Sequence, residues 1–168
     1  DTNIKWRGSA LQHNGQSATF TALNASSQKD LLRRALQGTT VTSVEAHGTG
    51  TRLGDPIEVS ALSLLDRVCV SGAKACLGHG EPNAGGAGVL AALGALAGDS
   101  APNGRLRRAN PVTSLAKQGL GTCKLALPAD GAPDRGADRV AQVAAPGLLA
   151  TAGVSSFGYS GIIAHAIL

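Results

Sequence analysis

Methionine is missing from these 168 residues, and aromatic side chains make up only 2% of them: one Trp, one Tyr and two Phe. A core built without them draws its bulk from Leu, Val, Ile and Ala, within a near-average hydrophobic fraction of 43%. With 23 Gly for close backbone approach, this composition suits helices packed directly on a sheet. The lack of aromatics also argues against nucleic acid as a partner, because stacking needs those rings. Cysteine is scarce too. Cys69, Cys76 and Cys123 form an odd set without scaffold spacing, which predicts reduced thiols in an intracellular compartment, cytoplasm or plastid. No stretch approaches the roughly 18 apolar residues of a membrane span. The longest, Ala87 to Ala97, is short and interrupted by glycine. No basic-then-apolar leader opens the chain, so no signal peptide is expected. Charge is modest, with 15 Lys+Arg against 11 Asp+Glu for a net +4. Arg33 with Arg34, and Arg105 with Arg107 and Arg108, form small basic clusters suited to an acidic partner protein.

What is present reads as one α/β domain. Ile4 to Leu11 is a plausible strand, and Gln12 to Ser17 is turn chemistry around Asn14-Gly15, which makes His13 a loop residue. Ser26 or Ser27 can cap a helix to Leu36, which Gly38 ends. Val41 to Ala46 is a short buried strand. Asp55 as N-cap, Pro56 at the first helical position and Glu58 as capping-box partner signal the next helix. That helix is expected to bury Ile57, Ala61, Leu64, Leu65 and Val68, leaving Asp66 and Arg67 in water. An extended piece from Cys69 to Leu77 follows, then a small-residue helix from Asn83 to Ala97 suited to close packing. Asp99 to Leu120 reads as irregular, and Pro128 to Pro146 as a surface loop. Ala150 to Phe157 and Ile162 to Leu168 form a closing hairpin around Gly158-Tyr159-Ser160-Gly161. The second of these strands is apolar on both faces, hence central and covered, with His165 as a hydrogen-bonded core residue.

Several chemistries find no support. Gly48-x-Gly50 and Gly78-x-Gly80 lack the third glycine of a dinucleotide fingerprint, and no Gly-Lys-Ser/Thr is present. Cys69, Cys76 and His79 have no fourth zinc ligand at sensible spacing, so no metal is expected. No serine sits in a Gly-x-Ser-x-Gly elbow. What remains is His47 and His79, each on a glycine-rich turn, with Lys74 five positions before the second. Two neutral imidazoles can direct N–H donors at one oxygen and stabilise charge that develops there, which suits an enolate or a tetrahedral oxyanion. A histidine that merely closes hydrogen bonds in its turn is the alternative for His47.

Val44-Glu45-Ala46-His47-Gly48-Thr49-Gly50-Thr51 with Gly54-Asp55-Pro56-Ile57-Glu58 resembles the first histidine motif of β-ketoacyl synthases, especially the ketosynthase domains of type I polyketide and fatty-acid synthases. Lys74 through Gly85 resembles the second motif, and Gly153 to Gly161 with Ala164-His165 the closing segment. Gly8 to Leu11 through Asn14-Gly15 and Ser17 is similar to the strand and loop before the C-terminal half. The resemblance implies a thiolase-like α/β fold, here its C-terminal half: a mixed five-stranded sheet covered by helices. It makes 1–168 one domain, with 1–20 a connecting strand and loop and 128–148 a surface loop.

The resemblance further implies a decarboxylative Claisen condensation between a cysteine-bound acyl thioester and a malonyl-type extender. The extender arrives on the phosphopantetheine arm of an acyl carrier protein, with no cofactor bound directly. By motif position His47 and His79 would polarise the extender carbonyl and Lys74 would support His79. Thr49 and Thr51 would line the pantetheine channel. Gly158 and Tyr159 would border the acyl pocket, with the Tyr159 N–H in the oxyanion hole. The other implied partners are an N-terminal half carrying the nucleophile and, in the intact enzyme, a second copy. Two departures stand out. None of the three cysteines lies in the family's Ala-Cys-Ser setting, so the chain alone is expected to be inactive. Ile162-Ile163 stands where Thr-Asn is usual, which opens the alternative of a degenerate, non-elongating scaffold or carrier-docking module.

Overall fold

The computed structural model describes residues 4–15, 24–65, 67–97, 124–126 and 150–168. Its strands are β1 (Gly8–His13), β2 (Ser43–Glu45), β3 (Arg67–Ser71), β4 (Lys124–Ala126), β5 (Ala152–Phe157) and β6 (Ile162–Ile167). Its helices are α1 (Ala25–Leu36), α2 (Gly54–Ala61), α3 (Lys74–Leu77) and α4 (Ala84–Ala97). The six strands form one sheet in the order β1-β6-β5-β2-β3-β4. Pairing is parallel from β5 through β2 and β3 to β4, and antiparallel at β5–β6 and β6–β1. Strands β2 to β6 make up the expected mixed five-stranded sheet. β1 adds a sixth at its edge.

Parallel neighbours need a crossover, and α2 supplies the one between β2 and β3. On one face α1, α2 and the turn after α2 bury Leu32, Ala35, Val44, Leu62, Val68 and Ile167 in a common core. On the other, α4 packs Val89, Ala92 and Leu93 against Ala152, Val154 and Leu168. The small residues of α4 have the expected use. A Cβ on Gly88 would stand 3.2 Å from Val154 Cγ1, so the helix lies directly on the sheet.

Several boundaries differ from those read in the sequence. β1 runs on through His13, because its pairing with β6 extends to His13↔Ile162. Asn24, not a serine, caps α1: its Oδ1 accepts from the Ser26 and Ser27 N–H groups, and Ser27 Oγ is used instead on the Asn14 carbonyl. The helix ends as Gln37 and Gly38 both adopt positive φ. α2 starts at Gly54 and stops at Ala61. Pro56, Glu58, Val59 and Ala61 form its buried face, while Ile57 is only half-buried. The chain then passes through a 3₁₀ turn, Leu62–Leu64, into β3, so Val68 is a strand residue there. The extended piece expected to reach Leu77 ends at Ser71. Lys74, Ala75 and Leu77 are good helix formers, and Lys74–Leu77 makes the short α3. β4 has no counterpart in the sequence reading. Asp66, the segments 99–120 and 128–146 and the Arg105 to Arg108 cluster lie outside the described residues.

The closing hairpin forms as expected, in the register Phe157↔Ile163 to Gly153↔Ile167. β6 is interior to the sheet, but its burial alternates. Ile163, His165 and Ile167 are covered, whereas Ala164 and Ala166 are only partly so. His165 is 2% exposed, and its Nδ1 lies 3.0 Å from Ser155 Oγ. Burial pushes its pKa down to about 4. Its ring lies over Gly153, where a Cβ would come within 2.7 Å of Nε2 and 3.2 Å of Val44 Cγ2. Gly153→Ala is therefore expected to lower unfolding free energy by about 2 kcal/mol through overpacking. Urea titration checks this, and an unchanged midpoint would contradict the packing described.

Candidate active site

The parallel pairing of β2 with β5 sets the C-terminal ends of both strands side by side. The turn after β2 carries His47, and β5 ends at Phe157. His47 Nδ1 accepts the Phe157 N–H at 3.3 Å, and the two rings are tilted at 5.1 Å between centroids. The turn bends through Gly48 and Gly50, both at positive φ, which glycine adopts without a Cβ penalty. It is held from beneath by Glu58, whose two carboxylate oxygens accept the His47 N–H at 2.7 Å and the Gly48 N–H at 2.9 Å. The capping box expected of Glu58 does not form. Asp55 is likewise no N-cap: it accepts from Gly50 N–H, while Thr51 Oγ1 accepts from Gly54 N–H at the head of α2.

The second histidine comes from the segment after β3. Glu45, buried on β2, accepts from Ser71 Oγ and from the Ala73 N–H, each at 2.6 Å. That carboxylate fixes the junction from which α3 starts and places negative charge at its first turn. Lys74 opens α3, and Gly78 at φ 77 closes it. His79 follows, its Nδ1 accepting the Glu81 N–H at 3.3 Å. Its ring meets His47 edge-on, 5.5 Å between centroids and 84° between planes. Both imidazoles thus spend Nδ1 as an acceptor, so each neutral ring carries its proton on Nε2 as a donor.

Electrostatics favour the neutral form at His47. Burial lowers its pKa to about 4, helped by the Lys74 ammonium and by His79. Lys74 is itself lowered by burial, opposed by Glu45 and Glu58. Burial raises Glu58 to about 7, against the pull of its two backbone N–H bonds. A cleft of about 90 Å³, lined by Glu45, Lys74, Leu77, Gly80 and Asn83 among others, opens beside α3.

Of the residues singled out in the sequence, His47 and His79 meet, and Lys74 acts on the His47 ring. Thr49 is half-buried on the same turn, while Thr51 is exposed and engaged with α2. Gly158 and Tyr159 sit on the exposed β5–β6 turn, with Tyr159 83% exposed and Gly158 N–H bonded to the Ile162 carbonyl. Among the described residues Cys69 and Cys76 are free thiols, and burial pushes Cys69 up to about 11, unsuited to a nucleophile. No three His, Cys, Asp or Glu side chains among the described residues converge as a metal site. No helix among them is long and apolar enough to cross a membrane. Sequence reasoning missed Phe157, Glu45 and the role of Glu58. A carboxylate inside the apolar run Val44-Glu45-Ala46 is a signal that could have found the second.

Residues 5–105 match the β-ketoacyl synthase C-terminal domain. The chain belongs to the β-ketoacyl synthase family. It is 35% identical over 174 residues to a phenolphthiocerol/phthiocerol polyketide synthase of Mycobacterium tuberculosis, covering 96% of this chain and 7% of that one. Against polyketide synthase GfsE of Streptomyces halstedii it is 38% identical over 175 residues, covering 96% and 4%. Among solved structures, the ketosynthase from module 6 of the bacillaene synthase of Bacillus subtilis superposes with a TM-score of 0.77 at 30% identity. That superposition covers 96% of this chain and 29% of the other. The thiolase-like fold and the C-terminal ketosynthase assignment follow, and this chain spans a small part of each relative.

Two outcomes test the site. His47 should stay neutral until about pH 4 in ring-nitrogen NMR titration. A midpoint near 6.5 would contradict its burial. Because the folded pKa lies below the unfolded one, the stability tied to neutral His47 is held above pH 6.5 and lost as pH falls toward 4. Glu45→Ala, which frees Ser71 Oγ and the Ala73 N–H, should cost about 3 kcal/mol in chemical unfolding, with Glu45→Gln costing less.

Proposed function

We propose that the chain supplies the two-histidine half of a ketosynthase active centre for decarboxylative Claisen condensation. The observation that carries this reading is the 5.5 Å juxtaposition of His47 and His79, each with Nδ1 occupied by a backbone N–H. Two Nε2–H donors suit an extender thioester carbonyl. As carbon dioxide leaves, its bonding pair becomes the enolate, and the two N–H groups hold the charge gathering on oxygen. The enolate carbon then attacks the acyl thioester, forming the new C–C bond and releasing the cysteine thiolate. A low His47 pKa serves this step, since a neutral donor needs no proton to be replaced at each turnover. Lys74 acts as a positioning residue through its field on His47.

Thr49 and Thr51 are proposed to line the path of the phosphopantetheine arm, and Gly158 and Tyr159 to border the acyl pocket, with the Tyr159 N–H at its oxyanion. The arm belongs to an acyl carrier protein, the substrate's carrier, and fatty-acid or polyketide extension are both compatible with it. The nucleophilic cysteine is assigned to an N-terminal ketosynthase half, without which this chain is inactive. The exposed Leu77 and Leu90, each 71% accessible, support such a covering partner, and the intact enzyme is proposed to be a homodimer.

Ile163, 1% exposed opposite Phe157, favours a second reading as a non-elongating scaffold or carrier-docking module. It brings no hydrogen-bonding group to the active-site loop. That loop is braced otherwise: Asn14 N–H bonds the Gly161 carbonyl at 2.7 Å, and His13 Nε2 lies 3.2 Å from the Ser160 carbonyl. Joining the chain to a cysteine-bearing N-terminal half and assaying malonyl-carrier decarboxylation separates the readings. Turnover that falls about 10²-fold or more in His79→Ala is the expected outcome. No turnover in the unsubstituted fusion would favour the scaffold.

A further inference from the structure

Behind the His47 turn, between α1, α2 and the β5–β6 pair, lies a second cavity of about 10 Å³. Gln28, Glu58, Ala61, Ser155, Phe157 and His165 are on its wall. Gln28 and His165 are each 2% exposed. Both polar atoms of the Gln28 amide and Nε2 of His165 have no hydrogen-bond partner among the described residues. Native folds rarely leave even one buried polar atom unsatisfied, and here the two residues that carry three such atoms both line one cavity. Its volume is at the lower bound for a single water, and a buried water takes two to four polar partners. The wall offers that number.

We propose that one internal water occupies this cavity, bound by the Gln28 amide and His165 Nε2, and that it supports Glu58 from the rear. Gln28 and His165 are then positioning residues for the His47 turn. The hydrogen-bond inventory closes. The water gives one proton to Gln28 Oε1 and one to a Glu58 oxygen, and its two lone pairs accept from Gln28 Nε2 and from His165 Nε2, whose Nδ1 faces Ser155 Oγ. Each Glu58 oxygen receives a single backbone N–H and keeps a second lone pair for the water. The charged and titratable groups facing Glu58 are Asp55 on its own helix, His47 on the turn above, Lys74 on α3 and His165 on β6. Taking the water away removes solvation from a carboxyl whose burial already raises it to about 7, and so raises it further.

Gln28→Met, nearly equal in volume, decides the matter on the full chain without passing through condensation. A failed ketosynthase assay and a dry cavity are therefore separable results. In a hydrated cavity the substitution strips the water of its partner. Tm then falls by roughly 3–6 °C, and the Glu58 carboxyl-carbon titration moves up by about half a pH unit or more. In a dry cavity it replaces two orphaned polar atoms with a thioether, Tm rises, and the proposal is overturned. A fall in Tm with an unmoved Glu58 midpoint overturns the link to Glu58. Should the variant not fold, a crystal structure of the unsubstituted chain is the second measurement. Density within hydrogen-bond reach of both Gln28 and His165 supports the water, and an empty cavity refutes it.

Discussion

A carboxylate buried beneath a glycine turn is the constraint on which this structure depends. Glu58 reaches from α2 to take the amide protons of His47 and Gly48, so the histidine is fixed at its own backbone before any side-chain contact counts. Opposing terms meet there. Burying a carboxylate costs several kcal/mol, and each charge-assisted hydrogen bond returns about 1.5–3 kcal/mol. Burial outweighs the two hydrogen bonds, and the carboxyl titrates close to neutrality, not at the ordinary acidic value. The ring's far side is fixed by the Phe157 amide, so His47 is gripped from two elements that no local sequence connects.

The buried ionisable groups pull stability in opposite directions. His47 and His165 hold their protons less well folded than unfolded, so acid erodes the fold from pH 6.5 toward 4. Glu58 holds its proton better folded, so its contribution is complete at low pH and drains as pH rises toward 7. These windows overlap between about pH 4.5 and 6.5. Neutral imidazoles and a partly protonated carboxyl coexist there.

Much of this was legible in the sequence, because the informative signals are local. Both histidine turns show their glycines, the small-residue character of α4 announces close packing on a sheet, and the β5–β6 hairpin is bounded by its glycines. What local pattern misreports is side-chain use that tertiary structure reassigns. Asp55 and Glu58 have the spacing of helix caps, yet both turn back to hold the His47 loop. Lys74 sits in a stretch that reads as extended, yet Glu45 takes the Ala73 amide and turns the chain into a helical turn. Asn24 displaces two serines as cap because one serine hydroxyl is claimed by Asn14, a residue ten positions upstream of the cap. In each case the deciding partner is distant in sequence, and periodicity carries no trace of it.

The Phe157 amide that locks the His47 ring is separated from it by 110 residues. At synthesis rates of roughly 5–20 residues per second, the histidine waits on the order of ten seconds for that partner to be made. β2 likewise gains its β5 neighbour only after every intervening segment has left the ribosome. A nascent chain halted between His79 and β5 therefore carries both imidazoles without the amide that locks His47.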